Sequence, residues 1–152
     1  MAKVGIVMGS KTDSDMVKPA IDVLEQLGID YELSIISAHR NPEKLREYGL
    51  KAEEQGFEVI IAAAGGAAHL PGILASWTTV PVIGVPLPTS ELKGVDALLS
   101  IAQMPAGVPV ACVGIGTSGA KNAALLAAQI LGIKHKEVKE AYRKYRVELA
   151  EK

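Results

Sequence analysis

Apolar residues in this chain fall into short runs separated by charged, amphipathic stretches. Residues 4–8 (Val-Gly-Ile-Val-Met) form an unbroken apolar run of strand length that ends in Gly9-Ser10-Lys11-Thr12-Asp13. Helical spacing then predicts a helix over about 14–27, stopped by Gly28. Pro19 would sit most easily in the first turn of that helix, which leaves its start open. Alternation of Tyr31, Leu33 and Ile35 predicts a second strand over 31–36. Asn41 and Pro42 then read as the cap and first position of a helix reaching about residue 55, before Gly56. The remaining runs predict strands over 59–63, 82–85 and 110–113, and helices over about 70–76, 95–103, 118–131 and 134–151.

Strands alternating with helices imply a parallel sheet covered on both sides. No internal repeat or linker divides the chain, so the expectation is a single-domain, three-layer, doubly wound α/β fold. With five strands the flavodoxin-like type fits best, carrying an extra C-terminal helix. No Asp, Glu, Lys or Arg occurs over 59–90 or 97–120, a length that raises the question of membrane helices. Gly65, Gly66, Pro71, Gly72, Pro81, Gly84, Pro86 and Pro88 break the first stretch, and Pro105, Gly107, Pro109, Gly114 and Gly116 break the second. Buried parallel strands account for them better. So much uncharged sequence also predicts contacts between subunits. Opposite charges at three- and four-residue spacing over 134–151 indicate a solvated or intersubunit helix, with packing on a neighbour the expectation.

Charge removes some function classes. Sixteen basic side chains against 17 acidic ones give no electrostatic case for nucleic acid or an anionic membrane. One Trp and one Phe give no base-stacking platform. The single cysteine, Cys112, excludes an internal disulfide framework and reads as an inert core thiol. The chain enters a strand almost at once, which reads as lacking a leader, so a reducing cytoplasmic setting is expected.

Candidate chemistry gathers where strands give way to helices, the place at which open α/β sheets bind ligands. In Ser37-Ala38-His39-Arg40-Asn41-Pro42, a hydroxyl, an imidazole and a guanidinium within four residues could handle an anion and a proton together. An ordinary capped loop has the same composition. The first loop sets hydroxyls and free amides at a helix N-terminus, a cradle for phosphate, and Asp13 could accept hydrogen bonds from ribose hydroxyls. Equally, Ser10, Thr12 or Asp13 could simply cap the helix. The loop lacks the Gly-Lys-Ser/Thr ending of a nucleoside-triphosphate cradle, so a monophosphate fits better. Gly65-Gly66-Ala67-Ala68-His69-Leu70-Pro71-Gly72 keeps side chains short and lets backbone approach a small planar ligand, with His69 either catalytic or structural. Two lone histidines do not make a metal site. Gly114-Ile115-Gly116-Thr117-Ser118-Gly119 matches the dinucleotide fingerprint, but no later strand carries the ribose-binding acid, so close backbone packing is the better reading. His135 reads as surface, and Trp77 as core or interface. Val138, Ala141, Tyr142, Tyr145 and Leu149 form an apolar stripe along the charged last helix.

These loops, together with Leu99-Ser100-Ile101-Ala102-Gln103-Met104-Pro105, closely resemble the N5-carboxyaminoimidazole ribonucleotide mutases, the bacterial class I enzymes of de novo purine synthesis. The resemblance spans about residues 3–132. Thr12 stands where that family more often has Ser, and Asn41 where it often has Thr; both keep a hydrogen-bonding side chain. Directly carboxylating relatives typically carry Lys after the loop histidine and lack the Gly-Gly-Ala-Ala-His loop, so Arg40 and the 65–72 loop favour the mutase. The resemblance implies an isomerase without cofactor or metal, in which the carboxylate on the exocyclic nitrogen moves to ring carbon C4 through released and recaptured carbon dioxide. It implies His39 as the acid/base, Ser10 and Arg40 on the phosphate, and Asp13 on the ribose, with Thr12 and Ser37 also on the substrate. Gly66, Ala68, His69 and Leu70 would border the base and the trapped carbon dioxide. A homo-octamer acting on a small ribonucleotide is implied, with neither nucleic acid nor membrane as partner.

Rival readings come from other classes. The fold and first loop would permit a flavin-mononucleotide binding module. A phospho-receiver domain needs an acceptor carboxylate after the third strand, where this chain has Ala62-Ala63-Ala64-Gly65. Direct carboxylation of aminoimidazole ribonucleotide is the nearest enzymatic rival.

Overall fold

Both faces of the strand beginning at Val59 are apolar, so the sheet that contains it must be covered twice. Val59, Ile61 and Ala63 point to one side, and Ile60, Ala62 and Ala64 to the other. In a computed structural model, which describes residues 2–152, the elements are β1 (Lys3–Met8), α1 (Ser14–Gln26), β2 (Asp30–Ile35), α2 (Pro42–Leu50), β3 (Val59–Gly65) and α3 (Leu70–Trp77). They continue as β4 (Val82–Leu87), α4 (Val95–Ala102), β5 (Ala111–Cys112), α5 (Thr117–Leu131) and α6 (Lys136–Ala150). All strand pairs are parallel, in the order β2-β1-β3-β4-β5. That is the doubly wound, flavodoxin-like order, with its reversal between β1 and β3. Val17, Ala20 and Leu24 of α1 and an alanine stripe on α5 (Ala120, Ala123, Ala124, Ala127, Ala128) cover one face. Leu45, Leu70, Leu74, Ala97 and Ile101, from α2, α3 and α4, cover the other.

Several elements depart from the sequence pattern. Pro19 lies well inside α1 rather than in its first turn; apolar burial of that helix outweighs one missing backbone bond. The second helix ends at Leu50 instead of about 55, and its last turns continue as loose turns closed by Gln55 N–H to Lys51 O (2.9 Å) and Phe57 N–H to Ala52 O (3.1 Å). β5 is only two residues long, and β2 is an edge strand that leaves Leu33 and Ile35 about two-fifths exposed. Cys112 is half-buried at the other edge, and burial pushes its thiol pKa up, in keeping with an inert thiol. Trp77 is half-buried with the Arg46 guanidinium 4.9 Å from its ring centroid, within cation–π reach.

His135 is a correction. It does not sit free at the surface: only 13% of its side chain is exposed, and its Nε2 lies 2.7 Å from Glu58 Oε1. Glu58 also receives Lys134 Nζ at 3.3 Å, and Glu137 Oε1 stands 3.6 Å from His135 Nδ1. The cluster ties the start of α6 to the start of β3. Beyond it, Val138, Ala141, Tyr142 and Tyr145 pack on the chain's own core, while Val147 and Leu149 stay exposed. Partial burial by itself would raise the Glu58 carboxyl, but hydrogen bonds from His135 and Lys134 outweigh it and hold the pKa below the ordinary 4.5. A depressed folded pKa stabilises fully above the ordinary carboxylate range, and that gain is lost as pH falls from there through the folded value. Melting temperatures of Glu58→Gln and the unaltered chain are therefore expected to differ near neutrality and converge on acidification. Curves that stay parallel would remove this role.

Candidate active site

The loops after β1, β2, β3 and β4 all leave the same end of the sheet and meet at the β1/β3 switch point. They enclose a cavity of ≈ 330 Å³ lined by Gly9, Ser10, Thr12, Asp13, Ser37, Ala38, His39, Arg40, Ala64, Gly65, Ala67, Leu70 and Thr89. A larger groove of ≈ 700 Å³ runs past Leu50, Trp77, Pro81 and Pro109 near the starts of β4 and β5, but its only ionisable lining residue is Glu53. The smaller cavity brings Asp13, His39 and Arg40 together.

The β1 loop is a tight polar turn. Ser10 Oγ accepts the Thr12 N–H at 3.3 Å and lies 2.8 Å from Thr12 Oγ1, while the Asp13 N–H reaches Ser10 O at 3.0 Å. The turn sets both hydroxyls beside the start of α1, where the helix dipole favours an anion. Asp13 is 6% exposed. Burial pushes its carboxyl pKa up, opposed by a hydrogen bond from the Ser10 backbone, and no cation pairs with it among the described residues. A buried carboxylate in that state gains from hydroxyl donors.

The β2 loop extends the sheet by one bond, Ile36 N–H to Met8 O at 2.9 Å, and then folds back on Ser37. Ser37 O accepts the Asn41 N–H at 2.9 Å and Ser37 Oγ accepts the Arg40 N–H at 3.2 Å, leaving the serine O–H free to donate. Asn41 Oδ1 accepts the Lys44 N–H at 3.3 Å with Pro42 opening α2, as the sequence predicts. The exposed Arg40 guanidinium has no carboxylate partner among the described residues.

After β3, short backbone bonds (Ala68 N–H to Gly66 O, 2.8 Å; His69 N–H to Ala67 O, 2.7 Å) turn the chain so that His69 stands at the head of α3. His39 Nε2 then lies 2.8 Å from His69 Nδ1, with the rings edge-on and their centroids 4.9 Å apart. One nitrogen donates and the other accepts, so the two rings share a hydrogen. No group of three or more His, Cys, Asp and Glu side chains suited to a metal occurs among the described residues.

Of the residues picked from sequence, Ser10, Thr12, Asp13, Ser37, His39, Arg40 and Leu70 line the cavity. His69 stands behind His39, Gly66 forms the turn beside the cavity, and Ala68 is buried in the core at 1% exposure. Thr89 is the polar lining residue that the sequence reading leaves out, besides the methyl of Ala64. It follows β4 in an uncharged segment, and only its position after a strand end singles it out.

The AIR carboxylase family model matches residues 3–152. The N5-carboxyaminoimidazole ribonucleotide mutase of Pyrococcus abyssi is 60% identical over 98% of this chain and 84% of that protein. The enzyme of the same name from Pseudomonas aeruginosa is 55% identical over 99% of this chain and 92% of its own length. Among solved structures, Treponema denticola PurE superposes with a TM-score of 0.87 at 29% identity, covering 99% of this chain and 93% of that one. A matching fold, the loop motifs gathered at one cavity and full-length similarity lead to one assignment: the chain belongs to the AIR carboxylase family.

Proposed function

We propose that this chain is an N5-carboxyaminoimidazole ribonucleotide mutase. The observation that carries the reading is the His39–His69 pair, held at 2.8 Å beside a cavity that also gathers Ser10, Asp13 and Arg40. Arg40 with the Ser10 and Thr12 hydroxyls holds the phosphate as a charged and hydrogen-bonded anchor. Asp13 accepts from the ribose hydroxyls and Ser37 donates to the substrate. The base then extends along the Ala64–Ala67 wall towards Leu70. At the reacting end the bond between exocyclic nitrogen and carboxylate breaks, its electron pair stays on nitrogen, and His39 supplies the proton. Carbon dioxide bonds to C4, and the C4 proton returns to His39, so the proton balance closes within one group. His69 acts through His39, orienting the ring and accepting or returning its N–H. His39, Arg40 and Thr89 are exposed in the free subunit, so water must leave when substrate binds if carbon dioxide is to stay beside C4.

Identity of 55–60% to relatives named as mutases, with Arg40 after the loop histidine, favours isomerisation over direct carboxylation. The protein functions as a cytoplasmic homo-octamer of one-domain subunits. Self-association is supported by large apolar side chains left exposed on one subunit, among them Leu92 just before α4, Val95 and Leu99 on α4, and Leu33 and Ile35 on β2. No helix among the described residues is long and apolar enough to cross a membrane. Supplying N5-carboxyaminoimidazole ribonucleotide without ATP or metal is expected to yield the C4-carboxylated nucleotide. Product formed only from aminoimidazole ribonucleotide and bicarbonate would overturn the mutase reading.

A further inference from the structure

Thr89 has a placement that the roles above do not use. It lines the cavity from the loop after β4, opposite the loops that carry Ser10, Asp13 and Arg40. The wall it shares with Ala64, Gly65, Ala67 and Leu70 is otherwise methyls, backbone and one aliphatic chain, so Thr89 brings that wall its only side-chain hydroxyl. The hydroxyl occupies the space Gly65 leaves by having no side chain: a Cβ at Gly65 would overlap Thr89 Oγ1. Gly65 therefore does more than let backbone approach a ligand. It admits a hydroxyl over the loop, and that hydroxyl has no hydrogen-bond partner among the described residues.

The segment carrying it is fixed. Thr89 N–H bonds Leu87 O at 3.0 Å, and the next residue is anchored by Ser90 Oγ to Asp96 Oδ2 at 2.6 Å. Lys93 N–H closes on Ser90 O at 3.0 Å. The backbone beneath this exposed side chain is therefore held without ligand, which lowers the entropy cost of using it.

We propose that Thr89 is a substrate-orienting residue whose hydroxyl donates to the migrating carboxylate, at the end of the nucleotide remote from the phosphate. The inference rests on the mutase reading, and its logic is spatial. With phosphate anchored by the β1 and β2 loops, the reacting carbons lie towards β3 and β4, where Thr89 offers a charge-assisted donor.

Thr89→Val keeps the shape and removes the hydroxyl, and Thr89→Ser keeps the hydroxyl. Binding of two nucleotides, measured by calorimetry, separates the terms: aminoimidazole ribonucleotide, which lacks the carboxylate, and its 4-carboxylated form. Thr89→Val is expected to weaken the carboxylated ligand about tenfold while leaving the other unchanged. It should also lower kcat and raise the fraction of turnovers that release carbon dioxide and aminoimidazole ribonucleotide. Thr89→Ser is expected to restore both. Equal weakening of the two ligands, or no change in either, overturns the role of Thr89 while the mutase reading stands if the unaltered chain turns over. If the unaltered chain binds neither nucleotide nor isomerises the substrate, both readings fall.

Discussion

Replacing His39 with Asn is expected to remove turnover almost completely, lowering kcat by about 10²–10⁴-fold, the range assigned to a lost general acid/base. Asn fills a similar volume and still offers an N–H, but it cannot give and retrieve a proton near neutrality. His39 is exposed at the cavity edge and its ring bonds only His69 among the described residues, so melting temperature and nucleotide affinity should change little. His69→Asn is expected to cost less, because that ring does not line the cavity and acts through His39. Stopped-time assays with the N-carboxylated nucleotide, beside calorimetric binding, check both. Retention of more than about a tenth of parental kcat by His39→Asn would remove it as the proton carrier.

The largest expected loss of stability comes from Gly119→Ala. Gly119 is in the first turn of α5, and an added Cβ there would fall on the Gly114 backbone carbonyl. The obstacle is main chain rather than the movable end of a side chain, so the helix must back away from the loop. Because α5 packs its alanine stripe on the sheet beside α1, a shift at its head opens the larger of the two cores. Overpacking of this kind costs about 1–3 kcal/mol, and a backbone obstacle belongs at or above the upper end. Urea unfolding should show an earlier midpoint at unchanged slope. A midpoint within error of the parent would mean that the loop yields freely.

The same glycine explains why a dinucleotide fingerprint appears in a chain that lacks the matching acid. Its third glycine serves the contact between helix and loop, and that part of the motif is shared by any tight strand-to-helix turn. Element order, parallel topology and the loops after β1 and β2 are legible in the sequence, because apolar runs and cap residues are local signals. Other features depend on partners distant along the chain. Leu33 and Ile35 alternate as a covered strand would, and only the order β2-β1 makes them an edge. His135 reads as surface because Glu58, 77 residues earlier, is invisible to periodicity. Thr89 has no motif of its own, since its placement follows from a vacancy at Gly65 on another strand.

The central position of β1 also bears on how the protein acquires activity. β1 is first in the chain, yet it lies between β2 and β3, with Val4 in register with both Tyr31 and Val59. His39 leaves β2 and His69 precedes α3, so the two rings can meet only across an inserted first strand. Pairing across β1 is a long-range event, and such contacts form late because chain closure opposes them. During refolding, helical signal should therefore return before turnover does, and the regain of turnover times the closing of the sheet rather than the growth of its helices.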